Sequence, residues 1–410
     1  MRRRWVFGGA LALLACAGAG AVGWEQAGSG HPLTAPSSGT SADGYPGLPH
    51  TSVQISPGGC GAGWDRPQPG LQVFDLHNTG VAPEDAYVED PATGRVLGEI
   101  EGLAGGAVRP MLVRLGAGSY AFQCLPQDTD AVTGPTVRVP GGAGGSGGAG
   151  SGSAGGGGPA VVPVTQQDLI PPTLAYQKWV GAQLPGLVSA VDVLRAAVGR
   201  GDSAAARAAW LPAHLDYERL GAAYGTFGDL DGSISGTTKG LPGGTSDPGF
   251  TGFHRLEFGL WHGESAASLG PVADRLAADV RTLQSRWAAA RMNPKDLGLR
   301  AHEIVENTIQ FELTGRTDYG SGSGLATAQA NLQGTAEALD LLRPLLRTRM
   351  PELPQIDAAL AATTREVAGL GGVPVSGLTL GQQEALNAAF GDLVTRLAPV
   401  AAVCDVRRTS

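Results

Sequence analysis

Residues 141–158 are built almost entirely from Gly, Ser and Ala. Such a run has no side chains with which to bury a face, and it behaves as a random coil spanning about 20–25 Å. Whatever folds in this chain must therefore fold on either side of it, as two units expected to tumble semi-independently. A chain of 410 residues is long enough for two separate cores.

The two sides differ in texture. Residues 48–140 carry short β-type runs between turn residues, at 52–55, 71–76, 86–89, 95–97, 108–115, 119–124 and 136–139. Seven such runs over about ninety residues predict a small β-sandwich. Residues 159–404 read as helical instead. Helices are expected over 171–198, from a cap at Asp202 or Ser203 to Ala223, and over 252–261, 271–291, 294–311, 324–348, 355–368 and 379–403. Residues 229–249 read as a loop. The pattern predicts an all-α bundle, and two packed four-helix halves suit the count.

One helical stretch carries chemistry. In Phe250–Trp261, Phe253, Leu256, Leu260 and Trp261 recur at helical spacing and put His254 and Glu257 on one face. An imidazole beside a carboxylate can bind a metal if neighbouring helices supply the other ligands. The same pair also suits a buried His hydrogen-bonded to a Glu. His214 with Glu218 and His302 with Glu306 repeat the arrangement, and Asp216, Asp229 and Asp231 could add to it. Helix surfaces are rich in such pairs, so His214 and His302 are expected to be exposed rather than ligating.

The net charge of −8, with no basic cluster beyond the N-terminus, argues against a nucleic-acid partner. Residues 1–24 read as an export signal, with Arg2–Arg4 ahead of an apolar run. Leu13-Leu14-Ala15-Cys16 resembles a lipobox, which would make Cys16 a lipidation site. Cleavage near Ala17–Ala19, or an uncleaved anchor, is the alternative. Residues 25–47 read as a tether, and no further segment reads as membrane-spanning. In an exported chain Cys60 and Cys124 are expected to form a disulfide, which leaves Cys404 over.

Gly252-Phe253-His254-Arg255-Leu256-Glu257 is preceded by Tyr217-Glu218-Arg219-Leu220 and by Phe227-Gly228-Asp229-Leu230-Asp231-Gly232-Ser233-Ile234. It is followed by Gln329-Ala330-Asn331-Leu332-Gln333-Gly334 and by residues 340–346. In this order the motifs resemble the imelysin-like domain of EfeO-type iron-uptake components. Residues 116–124, by phrase and position, look like the cupredoxin-like domain that precedes it in that family.

The resemblance implies an extracytoplasmic, membrane-tethered component that binds iron, as Fe²⁺ or Fe³⁺, and delivers it to a separate permease alongside a haem peroxidase. It implies metal ligands at His254, Glu257, Glu218 and Glu306, with Asp229 and Asp231 assisting. In the β-domain it implies Cys60, Cys124 and Glu84 or Asp85 as further metal ligands, against the disulfide as the plainer reading. A blue-copper site is not expected there, since His77 is the one internal His and no His or Met follows Cys124 at ligand spacing.

The chain departs from the family pattern where Gly221, Ser235 and Asn307 stand in place of acids, and where Gly320-Ser321-Gly322-Ser323-Gly324 replaces a His-Thr-Asp stretch. Fewer carboxylates suit Fe³⁺ less, and His214 and His302 could shift preference toward Fe²⁺, Zn²⁺ or Cu²⁺. The alternative function is a non-metal module that binds a protein or polysaccharide on a degenerate scaffold. Peptidase activity is not expected, because the chain has neither H-E-x-x-H nor G-x-S-x-G.

Overall fold

The computed structural model describes residues 45–126, 130–140 and 162–406. The leader with Cys16, nearly all of the tether and the Gly-rich linker lie outside these residues.

Among the described residues the N-terminal unit is a β-sandwich of nine strands: β1 (His50–Ser56), β2 (Gly59–Ala62), β3 (Gly70–Asn78), β4 (Glu84–Asp90), β5 (Arg95–Leu103), β6 (Val108–Leu115), β7 (Gly118–Pro126), β8 (Val132–Thr133) and β9 (Val137–Val139). One sheet runs β2-β1-β3-β6 and the other β5-β4-β7-β8, with β9 also paired to β7. β1 and β3 are parallel and the remaining pairs antiparallel. Alternation decides which face is buried: along β6, Met111, Val113 and Leu115 turn inward while Leu112 and Arg114 face out. Trp64, Phe74 and Phe122 meet edge to face in this core, with ring centroids 4.9–5.5 Å apart.

The strands not expected from sequence, β2 and β8, are too short to show alternation, and β2 has no β-branched residue. β2 still matters, because its Cys60 is joined by a disulfide to Cys124 of β7, with the Cα atoms 5.8 Å apart. The bridge ties one sheet to the other. It also removes both thiolates from any metal site with Glu84 or Asp85. Glu84 is buried, and Asp85 accepts a hydrogen bond from the Gly102 amide at 2.7 Å.

The second unit contains ten α-helices among the described residues: α1 (Gln166–Gly199), α2 (Ser203–Glu218), α3 (Tyr224–Phe227), α4 (Asp229–Ser235), α5 (Gly252–Trp261), α6 (Ala266–Trp287), α7 (Asp296–Asn307), α8 (Gly324–Leu346), α9 (Leu353–Gly369) and α10 (Leu380–Cys404). Capping boxes start two of the long helices, Thr165 with Asp168 for α1 and Thr379 with Gln382 for α10. α1, α2, α5 and α6 pack as one group and α7–α10 as another, with α8 reaching both α1 and α2.

Three expectations need correction. The segment 229–249 is not simply a loop, since it contains α4 and a 3₁₀ turn at Gly244–Ser246. The helix expected over 294–311 ends at Asn307 and passes into a π turn, Thr308–Glu312. α10 is long and apolar enough to cross a membrane, contrary to the expectation of no such segment after the leader. Its Leu386, Phe390, Leu393, Leu397 and Val400 recur at helical spacing and are buried in the bundle core.

The Cys60–Cys124 bridge closes a loop with a sequence separation of 64 residues. Replacing both cysteines by Ala is expected to destabilise the β-sandwich by about 2–4 kcal/mol. Denaturant unfolding of the variant, compared with the oxidised and reduced wild type, measures this.

Candidate functional site

α5 begins with an abrupt entry. Gly252 has φ +78°, and a Cβ there would lie 2.1 Å from the Ile234 carbonyl oxygen. Glycine alone fits this contact. The neighbouring Thr251 hydroxyl donates to the Ser233 carbonyl at 3.0 Å, so the start of α5 is fastened to α4. From α2, the Trp210 indole donates to the Phe253 carbonyl at 2.9 Å. Three helices are thus locked around one point. Phe253, Leu256 and Leu260 bury the apolar face of α5, and His254 and Glu257 are buried with them.

Beside this junction is a cavity of about 180 Å³. Its lining includes Glu218 from the end of α2, Asp231 of α4, His254 of α5, Arg300 and Glu303 of α7, and Glu312 of the π turn. Burial pushes the Glu218 carboxyl up to about 8, helped by the charges of Glu312 and Asp231. Burial also raises Asp231, although the Tyr217 hydroxyl donates to it at 2.6 Å and Arg300 opposes the shift. Glu312 is raised for the same reason, and the Thr317 hydroxyl donates to it. The Ser235 hydroxyl donates to Glu218 at 3.3 Å. Among the described residues no group of three His, Cys, Asp or Glu side chains is close enough together to hold a metal ion as placed. The acids ring a space rather than meet at a point.

The expected ligands divide accordingly. Glu218, Asp231 and His254 face the cavity. Glu257 does not line it. One of its carboxylate oxygens accepts from the Tyr319 amide (3.0 Å), the Ser321 amide (3.1 Å) and the Ser321 hydroxyl (2.5 Å), while the other faces His254 Nδ1 at 3.3 Å. Glu257 therefore holds a loop and a neighbouring imidazole. Glu306 also lies away from the cavity, 49% exposed and bonded to Gln310, and Asp229 is exposed. Asp216 pairs with Arg219 at 2.7 Å.

His302 sits near Glu306 at 4.0 Å, partly exposed. His214, expected at the surface, is buried. It stacks on Trp210 with centroids 4.8 Å apart and stands 5.3 Å from the His254 ring. Burial holds its imidazole well below the usual range, in the neutral form.

Sequence reasoning missed Glu312, Glu303 and Arg300. Glu312 follows the last regular turn of α7, and the π turn that aims it has no signature in hydrophobic periodicity. A finer signal was present in the sequence: Gly221, Ser235 and Asn307, three positions with an expected acid replaced, all line this one cavity.

Residues 173–402 match a family model described as imelysin, a span of more than half the chain. The chain belongs to the imelysin family. The iron uptake system components EfeO of Escherichia coli and Shigella flexneri are each 34% identical to it over 185 residues. That alignment takes in 45% of this chain and 49% of the relatives, so the chain spans about half the length of the curated relatives it matches. A crystal structure of an iron-regulated protein A precursor from Parabacteroides distasonis is 16% identical, covers 58% of this chain and 95% of that one, and superposes with a TM-score of 0.42. That likeness is too slight to bear on the imelysin domain's function.

Two outcomes are expected. Gly252→Ala places a side chain at positive φ and against a backbone oxygen, and should lower stability by about 2 kcal/mol or more in thermal melts. Glu218→Gln tests the raised carboxyl. In the wild type the folded state keeps the Glu218 proton up to about pH 8, while the unfolded chain releases it near its ordinary value of 4.5. The folded state thus binds more protons between these values, and wild-type stability falls as pH rises through that window. Melting temperatures recorded from pH 4.5 to 8 should show that decline in the wild type and a flatter profile in the Gln variant.

Proposed function

We propose that the imelysin domain binds an iron cation as cargo in the cavity lined by Glu218, Asp231, His254 and Glu312, as the capturing component of an uptake system. One observation carries this reading. Three carboxyl groups line one cavity in which burial, and for Glu218 and Glu312 also neighbouring carboxylates, raise their proton affinity. Such a cluster is costly without a countercharge, and a multivalent cation supplies one.

Oxygen donors with one imidazole suit iron. At roughly 30 Å³ per water, the cavity has room for an ion that keeps part of its water shell. That fits side chains that surround a space without closing on a point. With Gly221, Ser235 and Asn307 adding no charge, Fe²⁺ is favoured over Fe³⁺, and Zn²⁺ and Cu²⁺ are the competitors.

The likeness to EfeO supports iron as the cargo. On that reading the protein is exported and held at the outer face of the membrane or in the periplasm, by lipidated Cys16 or an anchor. It passes iron to a separate permease that works with a haem peroxidase, and the β-sandwich is its cupredoxin-like companion. The domain acts as a carrier and not a hydrolase, despite the peptidase name attached to its family.

Calorimetric titration with Fe²⁺ (anaerobic), Fe³⁺–citrate, Zn²⁺ and Cu²⁺ tests this, beside a Glu218→Gln/Glu312→Gln variant. Expected results are one ion per chain, a melting temperature that rises on binding, and affinity that increases as pH approaches 8 and Glu218 gives up its proton. The variant should bind at least about tenfold more weakly. If no metal binds, the scaffold is better explained as a protein- or polysaccharide-binding module.

A further inference from the structure

We propose that Arg300 is a tethered counter-cation that sets how tightly the cavity holds its cargo and how fast it lets go. This inference rests on the cation reading above and assigns a role to a residue that reading leaves unused.

The guanidinium shares the cavity lining with four carboxyl groups, those of Glu218, Asp231, Glu303 and Glu312. Its Nη1 donates to Glu303 Oε2 at 2.6 Å, which anchors it at one side of the space. Its Nη2 lies close against Gly225, where an added Cβ would come within 3.1 Å of it. The bare backbone there leaves room for the guanidinium. Its charge is felt across the cavity, where it opposes the rise of the Asp231 carboxyl.

Arg300 and Glu303 are each about one-third exposed, with side-chain exposures of 34% and 31%. They can therefore turn toward water without breaking into the packed core. Arginine stays protonated under all ordinary conditions, so it cannot clear the site by losing its charge. An entering cation must either share the carboxylates with a fixed positive charge or push that charge outward.

Both routes weaken binding. A unit charge several ångströms away, at an effective dielectric near that of a protein surface, changes a cation's affinity on the order of tenfold per unit of its charge. The same repulsion speeds departure. A carrier needs both properties, because cargo held too firmly is never delivered. A purely structural Arg300 would instead support the middle of α7 by its bond to Glu303, and its loss would loosen the site rather than tighten it.

The test compares the full chain with its Arg300→Gln and Arg300→Lys variants. Anaerobic Fe²⁺ alone is the probe, in competition with a chelator of known affinity and in stopped-flow release. Arg300→Gln is expected to bind Fe²⁺ at least about tenfold more tightly and to release it more slowly. Arg300→Lys, which keeps the charge, should return both values to near wild type. Should Arg300→Gln fail to fold, as judged by its melting curve without metal, Arg300→Met removes the charge while keeping the apolar stem. Wild-type binding with equal or weaker binding by the uncharged variants overturns the role of Arg300 and leaves the cargo reading standing. Absence of Fe²⁺ binding in the wild type and the uncharged variants overturns both.

Discussion

Carboxyl groups buried together resist ionisation, and three of them line one cavity in the helical unit. Glu218, Asp231 and Glu312 come from three separate segments, so their proximity is set by tertiary packing and not by local spacing. Each receives a hydroxyl donor, from Ser235, Tyr217 and Thr317 respectively. These neutral donors soften the repulsion without cancelling it. The aromatic layer of Trp210, His214 and Phe253 stands behind the site, keeping His214 neutral and contributing no positive charge. The acids therefore keep a raised proton affinity, with Arg300 beside them in the cavity lining.

The helical unit was legible in the sequence because its core positions recur at regular spacing. α5 runs over the residues its apolar pattern indicates, and the Gly that precedes the pattern is the one the backbone requires. The β-sandwich was legible for the opposite periodicity, except at β2 and β8, which are too short to alternate. The site was read less well, since ligand geometry depends on helix phase to within one residue. Glu306 and Asn307 are adjacent, yet Asn307 lines the cavity and Glu306 faces water. Of the two positions where the family resemblance implies acids, the outward one carries Glu306 and the inward one Asn307. No property of either residue alone could reveal that.

Glu257 shows a second reason for partial legibility. Its motif correctly indicates burial beside His254, but its partners come from residues 319–321, far along the chain. The loop presents two amides and a hydroxyl to one carboxylate oxygen, with Gly320 at φ +128° allowing the turn. A Gly/Ser stretch that looked like lost chemistry is a set of hydrogen-bond donors. Tyr319 then bonds through its hydroxyl to the Thr238 amide at 2.9 Å and lies against the His254 ring, so the loop braces the imidazole from its other side.

The π turn at Thr308–Glu312 has a bearing on how chains of this kind are compared. A regular α-helix advances about 100° per residue, and a π turn accommodates one residue more than a regular turn would. Deleting a single residue there would restore an ordinary helix and swing whatever follows through about that angle. Glu312 would leave the cavity although every letter of the acidic pattern survived. A gap of one position in an alignment at this point therefore separates chains that place an acid in the cavity from chains that merely encode one.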